Sequence, residues 1–236
     1  MSASPRQQNG SPWLPIGLLL LSMISIQSGA SLAKTLFPVI GAPGVTALRL
    51  LLGTAILLVI FKPWRLRFTR ASLLPMLGYG LSLGVMNYLF YLALTTIPLG
   101  IAVALEFTGP LAGRFYGAAT VSVGSLIAAL IFFPVGAYHS DLSVMFSWAV
   151  LPVGVAVAIL STAFPYSLEM VALTRLPTRT FGILMSLEPV IGAMVGIIFL
   201  HEHLSFAQWL ALSCIVVASM GAALTIKPKS KIKSVE

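Results

Sequence analysis

An all-α, polytopic membrane helix bundle is the fold class this sequence predicts, on three observations. Of 236 residues, 58% are hydrophobic and 8% charged, against roughly 45–50% and about 25% in soluble domains. Apolar runs of about 20 residues, the length that crosses a bilayer, recur along the chain. The few cations gather in alternate gaps between those runs. This composition excludes a soluble globular domain. It also excludes disorder, which needs low hydrophobicity and high net charge. Eight spans use roughly 160 residues, which leaves short loops, two tails and no second, soluble domain.

The runs place spans at about Trp13 to Ala33, Gly44 to Phe61, Leu73 to Leu94, Pro98 to Ala112, Ala118 to Ala137, Trp148 to Leu173, Thr180 to Leu200 and Phe206 to Ile226. The first follows a polar tail with a single cation, Arg6. Its Ser31-Leu32-Ala33 end faintly resembles a signal-peptide cleavage site, but its apolar stretch exceeds a typical h-region and seven runs follow, so it is expected to span. The second begins at Gly44. The third ends at Ala93-Leu94-Thr95, and Pro98 opens the fourth, where a missing N–H is tolerated. The fourth is the shortest, because Gly113-Arg114-Phe115-Tyr116 follows without a clear turn signal. The fifth to eighth are bounded by Tyr138 to Ser147, Arg175 to Arg179, and the polar His201 to Ser205.

With a cytoplasmic N-terminus, all Lys and Arg except Lys34 and Arg49 fall on one side: Arg6, the Lys62 to Arg70 group, Arg114, Arg175, Arg179 and the Lys227 to Lys233 tail. Cytoplasmic loops carry such an excess, so both termini are expected inside. The net charge of +8 then reports membrane orientation, and nucleic acid is not expected as a partner. The tail is suited to touching anionic lipid headgroups. Cys214 is the single cysteine, so disulfide frameworks and cysteine metal sites are not expected. No Walker-type phosphate loop occurs, which argues against ATP-driven pumping.

The segment Ala93-Leu94-Thr95 recurs 79 positions later as Ala172-Leu173-Thr174, with Pro98 matched by Pro177, Leu105 by Leu184 and Pro110 by Pro189. Three spans separate the copies. An odd number inverts the second, as in many secondary transporters, whose substrate sites lie near the midplane between repeats. A counterpart of the first span would start near residue 92, inside the third span. The second copy is therefore short.

Three carboxylates, Glu106, Glu169 and Glu188, fall within spans, where an ionised group costs a few kcal/mol and usually faces a cavity or a partner. Each lies near a proline that removes a backbone donor: Pro110 frees the carbonyl of Glu106, Pro189 that of Met185 and Pro165 that of Ser161. A freed carbonyl beside a carboxylate suits a cation or ammonium group, and a buried carboxylate can carry a proton. Asn87, Tyr88 and Tyr91 on the third span, with Ser22, Ser25, Gln27, Ser28 and Ser31 on the first, add hydrogen-bonding groups. Arg49, five residues into the second span, is near enough to the outer surface to snorkel. Helix-packing serines, interfacial tyrosines and structural pairing of a carboxylate with Arg49 explain the same residues without transport. His201-Glu202-His203 lacks a further ligand nearby, so no metal is expected.

The runs Asn87-Tyr88-Leu89-Phe90-Tyr91-Leu92, Ala104 through Ala112 with Glu106-Phe107-Thr108-Gly109-Pro110 at its centre, and Pro165 through Gly182 on to Glu188-Pro189 closely resemble the drug/metabolite transporter superfamily with EamA-type repeats. Among its members they are most similar to bacterial inner-membrane carriers of threonine and homoserine. The resemblance covers about Trp13 to Ala112 and Ala118 to Thr225. It implies proton-coupled efflux of threonine, homoserine and related small amino acids by alternating access, not an enzyme, with no cofactor. It also implies ten spans in two five-helix repeats. This chain then divides into a tail (1–12), a first repeat of four spans (13–112), a join where two spans are missing (113–117), a partial second repeat (118–226) and a basic tail (227–236). Removing an even number of spans preserves the orientation of everything downstream.

Amino-acid export is thus the leading expectation. Its competitors are a non-transporting remnant of such a carrier and a multidrug exporter of the same superfamily. Expected partners are a small amino acid, protons and membrane lipids, with a homo-oligomer left open.

Overall fold

A computed structural model describes residues 13–65, 70–106 and 118–225. The expected join at 113–117 and the two tails lie outside the described residues. Every described long element is a helix: α1 (Trp13–Lys34), α2 (Phe37–Phe61), α3 (Arg70–Ala93), α4 (Leu99–Glu106), α5 (Ala118–His139), α6 (Leu142–Met145), α7 (Leu151–Ala158), α8 (Phe164–Arg175), α9 (Thr178–Met185), α10 (Glu188–Leu200) and α11 (Phe206–Thr225). Counting α7 to α8 and α9 to α10 as single crossings, six described spans are long and apolar enough to cross a membrane. The apolar α11 is shorter by the same measure, and α4 has eight described residues. All eight expected spans thus have a helical counterpart, the fourth described only in its first half.

Two expected boundaries are corrected. The second span starts at Phe37 instead of Gly44, because Pro38 opens a helical turn before a kink at Gly41. Gly41 sits at φ 66°, a backbone region that residues with a Cβ rarely adopt. Ser140 donates its hydroxyl to the Ile40 carbonyl at 2.6 Å on the near side of that kink. The seventh span is not one helix: α9 ends at Met185 and α10 starts at Glu188. Pro189 therefore occupies the first turn of α10, where no intrahelical donor is needed, and does not free a mid-helix carbonyl. Between α10 and α11 the chain turns at His201, and after α2 at Lys62, both in left-handed conformation.

α1 packs against α8, α10 and the segment joining α7 to α8, while α2 lies along α5 and α7, and α4 along α10. The core runs through Ala33, Leu48, Tyr91, Met145, Val150 and Val157. Outside the spans, Asp141 caps α6. Ser143 donates both its hydroxyl and its N–H to that carboxylate at 2.8 Å, which holds the carboxyl below the ordinary carboxylate range. Its contribution is present at neutral pH and is lost as pH falls through that lowered value.

Between α7 and α8 the span widens into a π-helical turn, Ile159–Ala163, of the kind found at functional sites. α1 meets this turn at Gly29, where a Cβ would stand 2.8 Å from both the Cβ and the backbone N of Ser161. In a bilayer such close packing holds helices together, because lipid is as apolar as a side chain. Gly29→Ala is expected to cost about 1–3 kcal/mol by overpacking. Gly17→Ala, with nothing within 4 Å, is expected to be silent. Thermal midpoints of the two variants in detergent check this.

Candidate functional site

Four polar residues of α1 are buried, Ser22, Ser25, Gln27 and Ser31 all having less than a tenth of their surface exposed, while Ser28 is half-buried. Helix geometry of 3.6 residues per turn sets Ser22, Ser25 and Gly29 toward the π turn and α8, and Gln27 toward α10. Two polar contacts systems therefore flank one helix.

On the first side, Ser22 donates to Glu169 Oε1 at 2.8 Å and lies 3.2 Å from the Pro165 carbonyl. Ser25 donates to the Leu160 carbonyl at 2.7 Å. In a π turn the bond runs from residue i to i+5, so the donor that Pro165 lacks was owed to Leu160, and Ser25 replaces it. On the second side, Gln27 Nε2 donates to Glu188 Oε1 at 3.1 Å. Glu188 opens α10 and is 8% exposed, and a carboxylate in a helix's first turn is favoured by the helix dipole.

Arg49 forms a third group. Because α2 begins at Phe37, Arg49 lies twelve residues along it, about 18 Å at 1.5 Å per residue, and not the five residues that made snorkelling reasonable. It is 7% exposed. Its Nε donates to Thr162 Oγ1 at 3.2 Å, and its guanidinium lies over the Tyr91 ring, 5.0 Å from the centroid. Such a cation–π contact is worth about 2 kcal/mol or more when desolvated.

The expected site residues thus divide. Arg49 and Tyr91 are brought together, and Glu169 and Glu188 each pair with α1. Asn87 Nδ2 donates to the Leu83 carbonyl of its own helix, and Tyr88 stacks on Phe132 of α5 at 5.6 Å, so neither is shown joining these groups. Glu106 ends the described part of α4, and its side chain lies outside what is described. Sequence reasoning missed Thr162, and also Thr54, which is buried one residue beyond Gly53 where α2 meets Thr162. Two threonines in apolar runs carry no signal that separates them from packing residues. Three buried polar atoms, Gln27 Oε1, Thr54 Oγ1 and Tyr91 Oη, have no hydrogen-bond partner among the described residues. Glu202, read at first with its flanking histidines, accepts from Lys34 at 2.8 Å and from the Leu99 N–H at 2.8 Å. No group of three or more His, Cys, Asp or Glu gathers among the described residues to hold a metal.

Membrane-length helices broken at a π turn and at an abutting helix pair, with ionisable side chains paired at those breaks, define a multi-pass membrane transporter of the broken-helix kind. Known proteins agree. The EamA-like transporter family model matches residues 114–224. The threonine/homoserine exporter RhtA of Escherichia coli (strain K12) is 51% identical over 284 residues, covering 95% of this chain and 96% of that protein. RhtA of Salmonella typhimurium (strain SL1344) is 52% identical over the same shares. The chain belongs to the EamA-like transporter family, a family of transporters and not of enzymes. No solved structure matches. Since 95% of 236 residues is about 224, an alignment of 284 positions leaves about 60 positions of the relative without a counterpart here. That is room for two spans of about 20 residues with their loops.

Proposed function

We propose that this protein is a secondary-active exporter of threonine, homoserine and related small amino acids. It resides in the bacterial inner membrane with both termini cytoplasmic, and its two absent spans belong at 113–117. The arrangement that carries this reading is the pair of opposite charges held inside the spans: Arg49 on Thr162 and Tyr91, and Glu188 on Gln27. A zwitterionic substrate needs both. Arg49 presents a fixed fork of donors to the α-carboxylate, and Glu188, on the other side of α1, accepts from the α-ammonium at a separate step of the passage. Tyr91 Oη, Thr54 Oγ1 and Gln27 Oε1 supply hydrogen bonds to the remainder, including a side-chain hydroxyl.

Efflux against a gradient requires coupling, and buried carboxylates can exchange protons. Glu188 and Glu169 take that role: Glu188 opens α10 at a helix break, Glu169 lies half-buried in α8, and each accepts from a neutral donor of α1. Protonation of either weakens its grip on α1 and frees that helix to shift. The names of the close relatives support the substrate class.

Expression in cells stripped of their own threonine exporters tests this. Tolerance of toxic external threonine should rise, with homoserine appearing in the medium. Unchanged tolerance would leave a non-transporting remnant. Resistance to lipophilic cations without amino-acid efflux would mark a multidrug exporter instead.

A further inference from the structure

At the Lys34 end of the bundle, a cavity of about 250 Å³ is lined by Lys34, Thr95, Thr96, Pro98, Glu202 and His203, among others. Drug-sized pockets run to about 300–1,000 Å³, so this one suits a smaller solute. Two of its polar groups form an opposite pair. Lys34 Nζ and Glu202 Oε1 are 2.8 Å apart, with side chains 23% and 14% exposed. Glu202 is fixed from the other side, where its Oε2 accepts the N–H of Leu99 at 2.8 Å. One carboxylate thereby ties the end of α1 and the start of α4 to the loop after α10. The hydroxyls of Thr95 and Thr96 donate to the Leu92 and Ala93 carbonyls at 2.6 and 3.1 Å, which leaves their oxygens free to accept.

We infer that Lys34 and Glu202 form an exit site for a zwitterionic amino acid, which opens the ion pair by replacing it. This rests on the orientation and substrate class of the proposed function, which put the cavity on the external face. An α-amino acid carries its ammonium and carboxylate on one carbon, so it meets two side chains already in contact with both complementary charges at once. Its carboxylate takes the Lys34 ammonium, its ammonium takes Glu202 Oε1, and the hydroxyl of threonine or homoserine donates to Thr95 or Thr96. Two ions lose one partner and each gains another, so the exchange leaves no charge unpaired. While the pair is intact, α1 and α4 are held together at this end. When the zwitterion intervenes, α1 is released and the path outward opens.

The test is homoserine efflux from preloaded cells with homoserine added outside. External homoserine should slow efflux, whereas N-acetylhomoserine, which lacks the ammonium, and homoserine lactone, which lacks the carboxylate, should not. In Lys34→Met and in Glu202→Gln, which keeps an acceptor for Leu99, efflux should persist. The external concentration that halves it should rise roughly tenfold or more, as for loss of one charge-assisted contact. Equal sensitivity of wild type and variants, or slowing by the analogues as strong as by homoserine, overturns the exit site. If wild type shows no efflux, the proposed function fails by itself. The exit site is then decided on the purified full chain, where homoserine should raise the thermal midpoint of wild type and of neither variant. A rise of equal size in all three, or in none, overturns it.

Discussion

Replacing Arg49 with Met should lower amino-acid efflux far more steeply than it lowers heat stability. The two effects separate because they have different origins. A cation at mid-span costs about 2.5–3.5 kcal/mol on insertion scales, and Met fills similar volume with no charge to place. The Thr162 hydroxyl and Tyr91 ring lose a partner, which offsets that gain. Transport has no such compensation, since breaking a buried charge pair costs about 3–5 kcal/mol, or roughly 150- to 5,000-fold in rate at 1.36 kcal/mol per decade. Arg49→Lys keeps the charge and loses the planar fork, so it should retain a small fraction of the activity. Efflux assays beside melting curves of all three proteins check this. A Met variant that unfolds in step with its loss of efflux would assign Arg49 to structure alone.

The second large effect is expected for Glu188→Gln. Glutamine preserves the shape of the contact: Gln27 Nε2 still has an acceptor, and the new amide brings a donor of the kind Gln27 Oε1 lacks. Thermal stability should therefore change little. What disappears is the negative charge and the ability to exchange a proton. Losing one charge-assisted contact of about 1.5–3 kcal/mol lowers efflux roughly 10- to 150-fold. Whatever activity is left should no longer respond to an imposed proton gradient. Residual efflux that follows the gradient as wild type does would move the coupling role away from Glu188.

The spans were legible because the bilayer imposes one dominant length and polarity. Seven of the eight expected runs find a helix along their length, and α4 begins where Pro98 placed it. Local backbone chemistry was harder to read. The apolar run places the second span from Gly44, and the helix starts at Phe37, opened by Pro38 and kinked at Gly41. That seven-residue error put Arg49 near the surface and suggested a snorkelling side chain, where the structure buries it against Tyr91. The π turn at Ile159–Ala163 has no periodic signature, so the Leu160 carbonyl that Ser25 fills is invisible in the sequence. Carboxylates within spans stand out in an apolar sequence by their cost, which is why Glu169 and Glu188 are visible there. Their partners Ser22 and Gln27 could be noted only as a polar run, because pairing across more than 140 positions is set by tertiary packing. Lys34 stands out as an outlying cation and Glu202 only as the centre of a His-Glu-His run, and their contact is set by tertiary packing.

Transport by a chain that lacks about 60 positions of its relatives is the central claim, and reconstitution measures it most directly. Purified chain in proteoliposomes, given radiolabelled homoserine and an imposed pH gradient, should accumulate label in a saturable manner that collapses with the gradient and is absent from Glu188→Gln vesicles. Label no higher than in protein-free liposomes, from a preparation that elutes as a single folded species, would contradict the account.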